Sequence, residues 1–309
     1  MKKIAVVLMI VLVSCPTALF AQDLGAWNAS PLGSLMEHVK VNPYVQVGFQ
    51  WLGANLNLPV QNDLFQAIPL EIEELDVSLE DANFWTGIVG VNVIANEKYS
   101  FFAAAGGFVK RPFVTAGRFP VNVGGVSGVP FLEFTNSNLE SWFAQTGIGL
   151  RPFLVGLYWN QFSFELTEPR SRRGPIENQT LRGDFIAKTF APFVGFAIPA
   201  SGATFTLLYS PLAYSDTDLA LKSSRDTSAE LRYSWNKPGD LLIALLQYNT
   251  PLTSTISTGF WVNGSWLSLR GNGELEFQNI SPPISRNKDV TITMTQYVLG
   301  GGVTLGITF

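Results

Sequence analysis

The sequence predicts an all-β chain: a transmembrane, antiparallel, up-and-down β-barrel of about twelve strands, with ten or fourteen as the alternatives. Three observations lead there. First, 47% of the 309 residues are hydrophobic and only 14% are charged, where a soluble chain carries about 25% charge. Beyond the amino-terminal segment, however, no apolar run approaches the roughly 20 residues of a membrane helix. Apolar side chains spread over alternating segments are what strands with one face in lipid require. Second, the connections between strand candidates alternate short and long. Third, the last segment alternates apolar with small or polar residues up to Phe309.

Residues 1–21 read as a cleaved export signal. Lys2 and Lys3 precede the apolar run Ile4 to Val13, which is too short to span a bilayer, and Ala21 offers the cleavage point. The other reading is a lipobox, Leu12-Val13-Ser14-Cys15, with Cys15 acylated. Cleavage after Ala21 removes the only cysteine and leaves 18 basic against 24 acidic residues, a net of −6. That excludes a disulfide and a cysteine metal site, and an acidic chain is a poor partner for nucleic acid. No cofactor is expected. Residues 22–42 carry Trp27, Leu32, Leu35, Met36 and Val39 at a spacing compatible with one short amphipathic helix, a plug from the periplasmic side or a flexible leader. Residues 43–309 make the barrel.

Strand candidates fall at 43–57, 83–95, 99–109, 139–150, 152–166, 184–198, 202–211, 226–236, 240–249, 257–269, 274–279 and 289–309. The short connections are Asn96-Glu97-Lys98, Arg151, Ala200-Ser201-Gly202, Lys237-Pro238-Gly239 and Gly271-Asn272-Gly273, all with turn residues whose backbone preferences suit a reversal. The long ones are 58–82, 110–138, 167–183, 212–225, 250–256 and 280–288. Short turns on one side and long loops on the other is the arrangement of barrels with a periplasmic and an exterior end. Aromatic residues should then gather in two girdles. Phe84, Trp85, Trp142, Phe143, Trp159, Tyr209, Tyr248, Phe260 and Trp261 are expected at the outer rim, and Tyr44, Tyr99, Phe153, Phe205, Trp235 and Phe309 at the inner.

In the last strand Tyr297, Leu299, Val303, Leu305, Ile307 and Phe309 share one face, and Thr304, Thr308 and several glycines share the other. This ending resembles the carboxy-terminal signature of bacterial outer-membrane β-barrel proteins, at superfamily level and porin-like. The resemblance implies that Tyr297, Val303, Leu305, Ile307 and Phe309 form the signal read by the barrel-assembly machinery. It also implies residence in the outer membrane, with lipid and lipopolysaccharide as neighbours. Upstream the parity reverses, with Val290, Ile292 and Met294 on even positions. Thr295-Gln296 is therefore either a bulge or the point where the strand leaves the membrane.

Taking apolar residues as lipid-facing puts Glu230, Arg232, Asn263, Glu274 and Glu276 in the lumen, where Glu230 and Arg232 would form an ion pair or meet a solute. Lys188 shares its face with apolar Ile186 and Phe190, but a lone lysine on the lipid face is costly, so it too is expected inside. Of the long loops, 71–81 is acidic, suited to cation bridging to lipopolysaccharide, and 170–182 is basic, suited to anions; solvated loops are the plainer reading of both. Segment 110–138 would fold into the lumen or lie over the mouth. The single histidine, His38, precedes the first strand, so it cannot serve as base for a nucleophile at the outer rim. The chain is therefore not expected to be an enzyme. The expected function is a passive pore or selective channel for small solutes. The alternatives are a non-conducting adhesin or structural barrel and a plugged conduit for apolar molecules.

Overall fold

Period-two alternation needs partners on both sides before its backbone groups are satisfied, and in lipid only a closed sheet supplies them. The computed structural model describes residues 39–59, 74–95, 99–108, 114–115, 118–123, 132–168, 181–200, 203–223, 228–234, 237–278 and 287–309. Among these, the strand segments run as ten barrel strands. They are β1 (Lys40–Pro59), β2 (Glu74–Ile94), β3 (Tyr99–Phe108, Val114–Thr115 and Arg118–Val123), β4 (Leu132–Leu150) and β5 (Phe153–Glu168). The others are β6 (Leu181–Ala200), β7 (Ala203–Ser223), β8 (Ser228–Ser234 and Gly239–Pro251), β9 (Ile256–Gln278) and β10 (Asn287–Ile307). Each pairs antiparallel with its sequence neighbours, and β1 pairs with both β2 and β10, closing the barrel. Backbone bonds between Val41 and Phe309, in both directions, carry the closure to the last residue.

The stagger can be followed strand by strand. From Val41 the register runs through Val93, Phe101, Ile148, Val155, Val194, Tyr209, Leu242, Trp266 and Tyr297, and returns to β1 at Gly53. The ladder thus climbs twelve residues in one circuit (53 − 41). Ten strands with that stagger tilt by about 40° and give a backbone radius of roughly 9–10 Å. Side chains from opposite walls meet across such a bore.

The outward face has two zones. Val45, Phe101, Ile148, Val155, Val194, Leu299 and Val303 are 43–63% exposed, an apolar surface too large and continuous to face water. On β10 it spans Tyr297 to Ile307, which at the tilt above stands roughly 27 Å tall and matches a hydrocarbon core. Beyond this belt, toward the long loops, the exposed residues are mostly polar or charged, among them Arg182, Asp184, Lys188, Asp216, Asp218, Arg270 and Thr293, with Ile186 between them. Strands of 16 to 23 residues exceed the 9–11 that a crossing needs, so the barrel rises well above its own belt.

The expected twelve strands become ten because two apparent turns are not reversals. Residues 228–234 and 239–251 both pair with β7 and with β9, so Lys237-Pro238-Gly239 interrupts a single strand. Gly239 is there for closeness: a Cβ would strike the Ser268 carbonyl and Leu269. Likewise β9 runs unbroken through Gly271-Asn272-Gly273, with only a register shift against β10 between Gly273 and Leu275. Conversely, the expected exterior loop 250–256 is a tight turn at the opposite end. There the Thr253 hydroxyl accepts bonds from the Thr255 and Ile256 amides at 3.2 and 2.9 Å. Tyr248 and Phe260, register partners with stacked rings 5.3 Å apart, therefore sit at the short-turn end instead of the outer rim.

Other boundaries shift as well. β1 begins at Lys40, β2 already at Glu74, and Arg118–Val123 extends β3 upward, so that stretch neither constricts the lumen nor caps it. Thr295-Gln296 carries no bulge: the ladders to β1 and β9 pass through it without a shift. The parity of the chemistry reverses while the pleat continues, because outside the strand lipid gives way to water. The export signal, the segment up to residue 38 with His38, and most of the loops 58–82, 167–183 and 280–288 lie outside the described residues.

Candidate functional site

The lumen is where the inward face of every strand converges, and on β1 that face alternates cleanly. Val45, Val47 and Trp51 point out, while Gln46, Gly48, Gln50 and Leu52 point in. Around the ring the inward set includes Thr86 and Ile88 of β2, Ala104 of β3, Leu208 and Ser210 of β7, Leu241 of β8, Trp261 and Leu267 of β9, and Gln296 and Thr304 of β10, each at most 9% exposed. Several polar side chains on this face bond one another or the backbone. The Gln46 amide donates to Thr304 Oγ1 at 3.2 Å, Thr189 to Ser215 at 3.2 Å, and Thr86 to the Gly107 carbonyl at 3.2 Å.

Large rings fit because glycines stand opposite them. A Cβ on Gly48 would collide with Trp261 and the Gly301 carbonyl, one on Gly147 with Phe102, and one on Gly156 with Phe193. Trp261 packs with Ile88 and Ala104, joined by Tyr44, Phe143 and Leu245. These residues come from β1 to β4 on one wall and β8 and β9 on the other, so the cluster bridges the bore. Beside it lies a cavity of about 350 Å³ that reaches the short-turn end at Asn42, Ile94, Arg151, Pro199 and Asn249, and rises to Gln50, Phe84 and Asn160. Amides and aromatic rings dominate its wall, and Arg151, at the rim, is the one charged residue among those lining it.

Above the cavity, Leu52, Ala82, Phe162, Ala187, Thr217, Leu269 and Met294 are all 4% exposed or less. They stand on seven of the ten strands and shield the lumenal side toward the long loops, with Leu52 also lining the top of the cavity.

Of the residues expected in the lumen, Asn263 lines the cavity. Lys188 does not: its neighbours Ala187 and Thr189 turn inward at 3% and 5% exposure, and Lys188 lies on the outer face. Its register partner there is Asp216, and it stands above the belt, where an outward lysine meets no hydrocarbon. The side chains of Glu230, Arg232, Glu274 and Glu276 lie outside the described set. Their backbones pair Arg232 with Asp218 and Glu274, and Glu230 with Ala220 and Glu276. Asp218 is exposed. Tyr297, Val303, Leu305, Ile307 and Phe309 form an outward row, 42–74% exposed.

Sequence reasoning missed Tyr44, Gln46, Gln50 and Trp261. The alternation in residues 45–52 could have found the two glutamines. Asn263, expected in the lumen, lies two residues on along the same strand, so alternation alone turns Trp261 inward; only its height in the barrel depended on the placement of the 252–255 turn. Among the described residues no cluster of three His, Cys, Asp or Glu side chains is placed to hold a metal ion.

No family model matches the chain, and no curated protein matches it either. Solved structures do. The outer-membrane protease OmpT from Escherichia coli aligns over 87% of this chain and 97% of its own, at 14% identity and a TM-score of 0.58. The P. putida toluene transporter TodX aligns over 92% and 94%, at 9% identity and a TM-score of 0.35. The translocator domain of the autotransporter NalP from Neisseria meningitidis aligns over 85% and 88%, at 13% and 0.29. The chain has the closed-barrel fold of bacterial outer-membrane proteins. This corrects the expectation of a non-enzyme: a barrel of this fold carries a protease, so the architecture gives no reason to exclude catalysis.

Proposed function

We propose that this is an outer-membrane barrel that keeps its lumen shut and works through the charged extension above its belt, closer to the surface-barrel expectation than to a passive pore. One observation carries the reading: the shielded layer of Leu52, Ala82, Phe162, Ala187, Thr217, Leu269 and Met294. A water-filled channel wets its inward side chains, and a ten-stranded bore is narrow enough for them to fill. The apolar belt supports residence in the outer membrane, and the outward row ending at Phe309 supports its reading by the assembly machinery. Just above the belt Lys188 and Arg270 are exposed, at the height where cations meet lipopolysaccharide phosphates.

Conductance in planar bilayers tests the reading. The purified, folded protein is expected to stay silent in salt and to leave loaded vesicles intact. Discrete, reproducible steps from the wild-type protein would overturn it and restore the pore.

A further inference from the structure

Trp261 is 1% exposed, yet its indole Nε1–H has no hydrogen-bond partner within the protein, and the same holds for the buried Oδ1 atoms of Asn263 and Asn42. All three residues line the lumenal cavity. Buried polar atoms without partners cost about 1–3 kcal/mol each, and native interiors rarely tolerate them. Three in the wall of one cavity mark a place where a ligand supplies what the protein withholds.

The chemistry of that ligand follows from the wall. Trp261 presents a donor and Asn263, two residues on along the same inward face, an acceptor, roughly 6–7 Å apart along the strand. Glycines let these side chains lie close against the wall: a Cβ on Gly48 would strike Trp261, and one on Gly300 would strike Gln50 and Asn263. Around them stand further amides, Gln46, Gln145 and Gln247, and the ring of Tyr158. A charged ligand would find no counter-ion, since the one charged lining residue, Arg151, stands at the rim. A purely apolar ligand would leave donor and acceptor unanswered. What fits is a neutral molecule with apolar ring faces and hydroxyl or amide edges. A volume of about 350 Å³ falls at the small end of ligand pockets and suits one or two sugar-sized rings.

We propose that the lower lumen is a binding pocket for a small, uncharged sugar or polyol entering from the short-turn end, with Trp261 donating to it and Asn263 accepting from it. The proposal does not rest on the sealed-lumen reading, because binding and conductance are read separately.

The test uses the full chain, folded in detergent, titrated with glucose and with N-acetylglucosamine by calorimetry and by saturation-transfer NMR, with toluene as the apolar probe. Saturable binding of at least one sugar is expected. It should weaken about tenfold in Trp261→Phe, which keeps a ring and loses the N–H, and stay unchanged in Trp266→Phe on the exposed outer face. Where Trp261→Phe fails to give the heat-modifiable folded form, Asn263→Ser serves in its place with the same expected loss. Three results would each overturn the proposal: no saturable binding of either sugar, so that the cavity holds water alone; binding by toluene but neither sugar; or sugar affinity that both lumenal variants leave untouched.

Discussion

The last strand compares well with itself. From Tyr297 to Phe309 its odd residues are apolar and lie outside, with Thr304 and Gln296 inside; at Met294 and Thr293 the pleat is the same, but methionine is buried at 4% and threonine is exposed. Neither ladder slips between the two halves. Side-chain direction is a property of the strand, whereas which chemistry suits each side is a property of what surrounds it. In the belt half lipid rewards an apolar exterior and the lumen accepts polar groups; in the extension water reverses the first rule and the packed interior reverses the second. β6 and β7 repeat the lesson, with Val194 and Tyr209 exposed in the belt and Lys188 and Asp216 exposed above it.

Five substitutions would break or sharpen that contrast. Gly48→Val should have the largest effect. Its new side chain meets the Gly301 backbone and Trp261, an overpacking expected to cost more than about 3 kcal/mol. The folded, heat-modifiable band should be lost on gels, and normal folding would mean that the glycines are not what admits the aromatic rings. Trp261→Ala should come next, losing about 3 kcal/mol in urea unfolding from vesicles and opening a path beside Ile88 and Ala104.

The belt itself is tested by a matched pair. Val303→Arg should destabilise by about 2–4 kcal/mol and Thr293→Arg by at most about 1 kcal/mol, although both residues point outward from one strand. Equal costs would erase the boundary at Thr295. The smallest effect belongs to Thr253→Ala, which removes a hydroxyl accepting two turn amides. A loss of about 1 kcal/mol is expected, and labelling of a cysteine at Ser254 in intact cells should report an inner, protected turn where the sequence alone suggested an exterior loop.

What was legible and what was not divide along the range of the forces involved. Local pattern was enough for a barrel: period-two alternation, the short turn at 151, and the closing run to Phe309 each depend on residues within a few positions. It was enough for part of the lumenal side in the belt, as Asn263 and Thr304 illustrate. It failed where the deciding partner is distant in sequence. Lys237-Pro238-Gly239 has the composition of a turn, and only β7 and β9, holding the strand on both sides, keep it straight. That one misplacement inverted the expected positions of Tyr248, Phe260 and Trp261.

The sequence by itself determined the pleat and the closed sheet, because alternation and turn preference are short-range and a lipid solvent leaves few other solutions. Only the tertiary structure decided the strand number, the height at which lipid yields to water, and the lumenal wall where Trp261 and Asn263 come to face one cavity. Those depend on how ten strands close, and no stretch of chain carries that closure alone.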